Sequence, residues 1–105
     1  MKNSKDLMHK LANCLTACEN CADACLHENN VQEMISCIKT DRDCAEICNT
    51  TLRLVARNSN NVKNMLNLCA DMCRKCAEEC EKHDMMHCKE CAAACRECEK
   101  ACRAA

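Results

Sequence analysis

Residues 69–80 read Cys69-Ala70-Asp71-Met72-Cys73-Arg74-Lys75-Cys76-Ala77-Glu78-Glu79-Cys80, four cysteines separated by steps of four, three and four. At about 100° per residue these positions fall within an arc of about 60°, so the segment reads as an α-helix with a stripe of thiols along one face. The pattern recurs on both sides. Cys14, Cys18, Cys21 and Cys25 step in the same way, and Cys88, Cys91, Cys95, Cys98 and Cys102 run three, four, three, four. Cys37, Cys44 and Cys48 form a sparser stripe with steps of seven and four. These stripes take up all sixteen cysteines of the 105-residue chain.

Composition excludes most alternatives to helix. The chain has no Phe, Trp, Tyr, Gly or Pro, hence neither strand signals nor turn punctuators inside its segments. Its length suits one domain, 1–105. Once the cysteines are set aside, few large apolar side chains are left for a core, so sulfur has to be part of it. Fifteen Lys and Arg against sixteen Asp and Glu leave no basic field for a nucleic acid. The opening residues Met1-Lys2-Asn3-Ser4-Lys5-Asp6-Leu7 contain no apolar run of a secretory signal, and no stretch is long and apolar enough to span a bilayer. The expectation is a cytoplasmic location without membrane attachment, where thiols stay reduced.

Asn-rich breaks divide the chain. The spacing predicts a helix from Ser4 to about His27, a second from about Val31 to Arg57, a third from about Val62 to Lys82, and a fourth from near Asp84 to the end. Short connections make sequential helices antiparallel, which predicts an all-α, up-down-up-down four-helix bundle with a cysteine-lined core. Leu7 and Leu11 extend the first stripe, Met34, Asp41, Thr51 and Val55 the second, and Val62, Leu66 and His83 the third. These are the a and d positions of heptads, where a bundle ordinarily places Leu and Ile. Counting inward from the two turns at one end aligns five layers: Cys25/Met34/Cys80/Cys88, Cys21/Cys37/Cys76/Cys91, Cys18/Asp41/Cys73/Cys95, Cys14/Cys44/Cys69/Cys98, and Cys48/Cys102 with Leu11 and Leu66.

The ends of this column differ. One, lined by Leu7, Leu11, Leu52, Val55, Val62 and Leu66, is expected to form an apolar plug. The other carries Met34, His83, Met85, Met86 and His87, thioether and imidazole ligands that accept a soft cation less tightly than thiolate does, and reads as a mouth. Met85, Met86 and His87 are consecutive and cannot all face inward. Met8, Met65 and Met72 read as packing, and His9 and His27 as surface residues.

Soft thiolates select Cu(I), zinc or iron–sulfur clusters. A zinc site takes an isolated quartet, usually paired cysteines across a long spacer, and iron–sulfur ligands come in runs followed by Pro. Neither signature occurs. Cu(I) accepts two or three sulfurs, and a thiolate can bridge two ions. Side chains at i and i+4 lie about 5–6 Å apart at Cβ, close to the roughly 4.5 Å span of a near-linear S–metal–S unit with ~2.3 Å bonds. One monovalent ion per thiolate also leaves the interior neutral, a capacity on the order of one Cu(I) per cysteine, ~16 in all. A sink for other soft ions is the alternative reading. A redox enzyme of the thioredoxin type needs CxxC at a helix N-terminus beside a sheet, and a disulfide-stapled hairpin needs an oxidising compartment.

The CxxxCxxCxxxC helices, Asp43-Cys44-Ala45-Glu46-Ile47-Cys48, the run from Cys69 to His83, and the segment from His87 to Cys102 together resemble the bacterial copper storage proteins over nearly the whole chain. The resemblance implies a non-enzymatic four-helix bundle that binds many Cu(I) ions within its core, loads through a His/Met-lined end, and assembles as a homotetramer. Of the exported and cytosolic branches of that family, the chain is expected in the cytosolic one.

Overall fold

A computed structural model describes residues 4–105 and contains four α-helices among them: α1 Ser4–Cys25, α2 Val31–Ala56, α3 Val62–Cys80 and α4 Met86–Ala104. Met1, Lys2 and Asn3, part of the segment read above as lacking a secretory signal, lie outside the described residues. Each helix packs against two neighbours, α1 and α3 both against α2 and α4, in a rod of 44 × 17 × 17 Å. This is the antiparallel bundle that the short connections require.

The helix ends differ from the sequence reading by one to two residues, where local chemistry overrides periodicity. α1 and α3 stop at Cys25 and Cys80, and tight turns carry the chain onward through backbone bonds such as His27 N–H to Ala24 (3.0 Å) and His83 N–H to Cys80 (3.1 Å). α4 starts at Met86 with extended Met85 as its N-cap, so Asp84 lies just outside the helix. Asn30 and Asn61 precede α2 and α3 without a side-chain capping bond. The best-defined terminus is the end of α2. Asn58 adopts φ 53°, its N–H donates to Val55 (3.1 Å), and the Ser59 N–H donates to Leu54 (3.0 Å). These are the paired bonds of a Schellman motif, in which Asn takes the left-handed position that Gly fills elsewhere.

The core is sulfur. All sixteen cysteines are buried and free, and they form one cluster with Leu7, Leu11, Met34, Val55 and Leu66. At the plug Leu54 is buried, while Leu52 and Val62 pack only half-buried against the cluster, a correction to the predicted lining. The α2 stripe therefore ends on Leu54 and Val55 together. Thr51 is buried with its hydroxyl donated to the Ile47 carbonyl (2.7 Å), so its polar atom costs the core little.

The predicted layers need one correction. Cys14 meets Cys73 (3.9 Å) and Cys95 (3.7 Å), Cys21 meets Cys88 (3.9 Å), and Cys37 meets Cys80 (3.8 Å). The α1–α2 hairpin thus sits one step of the stripe further toward the mouth than counting from the turns implies. The resulting levels are Cys21/Cys37/Cys80/Cys88, Cys18/Asp41/Cys76/Cys91, Cys14/Cys44/Cys73/Cys95 and Cys48/Cys69/Cys98, with Cys25 and Met34 above them and Cys102 below. A stripe with three- and four-residue steps superimposes on itself when slid by one step, so periodicity alone leaves the relative height of the hairpins open.

The Schellman turn gives a direct test of the fold. Asn58→Ala should destabilise the reduced, metal-free protein by about 1 kcal/mol, the penalty for a Cβ without a local polar partner in the left-handed region, whereas Asn58→Gly should be neutral or better. Urea unfolding followed by circular dichroism checks both.

Candidate metal centre

The thiols are close enough to act together. Along the column, Sγ···Sγ distances run from 3.7 to 4.0 Å: Cys18 to Cys76 (3.9 Å), Cys18 to Cys95 (3.8 Å), Cys91 to Cys18 (3.8 Å), Cys44 to Cys73 (4.0 Å), Cys48 to Cys69 (3.8 Å) and Cys48 to Cys73 (3.9 Å). Sets of four gather their ligand atoms within 4.8 Å of one another: Cys14/Cys44/Cys48/Cys73, Cys14/Cys18/Cys44/Cys95, Cys18/Cys76/Cys91/Cys95 and Cys48/Cys69/Cys73/Cys98. The quartets share corners. Cys14, Cys18, Cys44, Cys48, Cys73 and Cys95 each belong to two of them. Filling neighbouring quartets therefore requires bridging thiolates, which isolated tetrahedral zinc sites do not use.

Of the i,i+4 pairs whose spacing suits one ion, Cys14/Cys18, Cys21/Cys25, Cys44/Cys48, Cys69/Cys73 and Cys76/Cys80, the first four are close together. Cys21 and Cys25 lie 3.9 Å apart, and Cys14/Cys18, Cys44/Cys48 and Cys69/Cys73 each fall within one quartet. The reason is helical: at this spacing two side chains stand one above the other on a single face.

Asp41 is the one carboxylate in the column and is fully buried. Its Oδ1 accepts from the thiols of Cys76 (3.2 Å), Cys80 (3.4 Å) and Cys91 (3.4 Å), and its Oδ2 from Cys37 (3.7 Å). Four donors from α2, α3 and α4 satisfy an acceptor that would otherwise be costly to bury. Burial pushes its carboxyl up to about 8.

At the mouth the predicted ligands separate. The His87 ring turns inward, with Nδ1 at 3.5 Å from Cys21, 3.6 Å from Cys88 and 3.9 Å from Cys25, and these four residues form a further quartet. Its Nε2 lies 3.0 Å from Glu28 Oε2. Met34 is buried and Met85 packs half-buried against the cluster. Met86 is 69% exposed, because it precedes His87 by one residue, about 100° around the first turn of α4. The structure does not bring Met86 to the thiols. His83 is half-buried, and its Nε2 pairs with Glu79 (3.3 Å). His27 and His9 are exposed, as expected. Burial raises the Cys25 thiol and lifts Cys88 to about 11, so both are protonated near neutral pH in the absence of metal.

A family model described as copper storage protein matches residues 1–105. The chain belongs to the copper storage protein family. The bundle is similar to the Cu(I)-bound copper storage protein BsCsp3, with a TM-score of 0.93 and 38% identity over 96% of this chain and 95% of that one. It is equally similar to a cytosolic copper storage protein of Streptomyces lividans solved with five coppers, with a TM-score of 0.93 and 38% identity over 96% of this chain and 89% of that one. An uncharacterized cysteine-rich protein of Bacillus subtilis, YhjQ, is 40% identical over 60 residues, 57% of this chain and 56% of that relative's length.

Sequence reasoning did not find Glu28. It lies in a turn off every stripe, and its partner is 59 residues away, so no periodic signal marks it.

Asp41 carries a pH signature for this copper storage protein. With its pKa raised from 3.8 to about 8, the folded apo-protein holds a proton that the unfolded chain has lost across that window, so stability should fall as pH rises from about 4 to about 8. Asp41→Asn should flatten the slope, measured by urea unfolding of reduced protein over that range.

Proposed function

We propose that this chain stores Cu(I), binding many ions through the thiolates of Cys14, Cys18, Cys21, Cys25, Cys37, Cys44, Cys48, Cys69, Cys73, Cys76, Cys80, Cys88, Cys91, Cys95, Cys98 and Cys102, and that ions arrive past Met34, His83, Met85 and His87. The observation that carries the reading is the unbroken run of corner-sharing thiol quartets. A delivery protein needs one exposed two-thiol site, whereas these sulfurs are buried and continuous. In the filled column each Cu(I) stands in for one thiol proton and bonds two or three sulfurs through thiolates shared with neighbouring ions, so the column is neutral before and after. The deep thiols lie behind the mouth on one side and the Leu7, Leu11, Val55 and Leu66 plug on the other.

The role belongs to storage rather than catalysis, in keeping with the family. No helix among the described residues is long and apolar enough to cross a membrane. A cytosolic setting is part of the proposal, supported by the cytosolic Streptomyces lividans relative. The homotetramer implied by the sequence resemblance belongs to it as well.

Anaerobic titration of the reduced protein with Cu(I) should saturate on the order of one ion per cysteine, ~16, with affinity falling as pH falls because each thiol must lose its proton. Saturation at one or two ions overturns the storage reading. Replacing Met34, His83, Met85, Met86 and His87 together by Leu or Ala should slow uptake and removal with little loss of capacity. Within that set, restoring Met86 alone should recover nothing. If uptake instead responds to Leu11→Ala or Leu66→Ala, the mouth lies at the opposite end.

A further inference from the structure

We propose that Glu28 is the positioning residue of the copper mouth, its carboxylate holding the His87 ring by Nε2–H so that the bare Nδ1 lone pair faces the sulfurs of Cys21, Cys25 and Cys88. The inference rests on the storage reading above and concerns how the first ion is received.

The assignment follows from hydrogen-bond chemistry. An ionised carboxylate only accepts, so the 3.0 Å contact between Glu28 Oε2 and His87 Nε2 requires the proton on Nε2. The opposite tautomer would set two lone pairs against each other. In the neutral ring Nδ1 is then unprotonated, and it lies 3.5 to 3.9 Å from three thiols from two helices. A ring with an outward-held N–H and an inward lone pair is the arrangement in which a carboxylate partner fixes the tautomer and orientation of a metal-ligating histidine.

Both partners are anchored. Glu28 lies three residues beyond the end of α1, and its backbone N–H donates to the Cys25 carbonyl (3.3 Å), which ties its backbone to that of one of the residues whose thiol His87 faces. His87 lies in the first turn of α4, where the Cys88 and Lys89 N–H groups both donate to Met85 (3.0 and 3.1 Å). The bond therefore spans the mouth between the α1–α2 turn and α4. His83 has a carboxylate partner too, Glu79, but that pair is local, four residues apart across the end of α3, and its contact is with the carboxylate rather than with a thiol. Among the described residues the His87 pair alone combines a carboxylate on one nitrogen with thiols on the other.

The test uses the full-length reduced protein, with Cu(I) delivered anaerobically from a coloured chelator complex and the ring followed by ¹⁵N NMR of the apo-protein. The unsubstituted protein should show His87 with its proton on Nε2 and an observable Nε2–H signal. Glu28→Ala should lose that signal and slow uptake of the first ion about 10-fold, the low end of the effect of removing such a partner. Glu28→Gln keeps an oxygen acceptor without the charge and should retain both the signal and most of the rate. In a His87→Ala background, Glu28→Ala should change nothing further. Unchanged uptake in Glu28→Ala overturns the proposal. So does a Glu28→Gln variant as slow as Glu28→Ala, which would make the effect one of charge, or an undiminished effect without His87. The total capacity of the unsubstituted protein reports separately on storage, so a failure there is distinguishable from a failure of Glu28.

Discussion

Electrical neutrality of a buried sulfur column is the constraint on which the rest of the structure depends. Thiols packed 3.7–4.0 Å apart along four helices are acceptable as small hydrophobes while protonated. A run of thiolates in the same volume would repel strongly and lack solvent. A monovalent soft cation is the species that can replace the protons one for one without leaving net charge. The core therefore serves two states with one set of atoms. It packs when empty, because a thiol is a small hydrophobe, and each thiol that packs offers a soft ligand atom.

That constraint explains the outer composition as well. With no aromatic residue and few large aliphatics, the bundle relies on helices that are sound by themselves, free of Gly and Pro, and on surface pairs such as Arg96 with Glu81 (2.9 Å) and Arg103 with Asp71 (3.3 Å), which join neighbouring helices near the surface. Exposed pairs of this kind contribute little each. What they add is polarity on the outer faces, which leaves the thiol stripe as the side of each helix to bury.

Much of this was legible in the sequence because the signal was one-dimensional. Steps of three and four put Cys69 to Cys80 on one face whatever the neighbouring helix does, so helix number, inward faces and the burial of all sixteen cysteines followed. Properties that depend on two helices at once were not legible. The stripe is self-similar under a one-step slip, so Cys14 was placed level with Cys69 although it meets Cys73. Met85, Met86 and His87 carry comparable ligands on consecutive residues, and only the actual start of α4 decides that His87 turns inward and Met86 outward. Leu54 and Leu52 differ for the same reason, as the end of a stripe has no further repeat to fix its phase.

The ends of the stripes are where the slip stops being free. In mid-column, sliding one hairpin by a step exchanges one cysteine for another at nearly constant volume and polarity. At the mouth, the observed offset leaves Cys25 and Met34 above Cys88, and the His87 ring there reaches both Cys21 and Cys25. Glu28, carried just beyond Cys25 on the α1–α2 turn, comes within 3.0 Å of that ring as a consequence of the same offset. At the plug, the offset brings Leu7 and Thr51 to the level of Leu66 and Cys102, so the apolar residues of α1 and α3 close the column together. A periodic core thus takes its register from its two aperiodic ends, in the way that a single polar residue sets the register of a coiled coil.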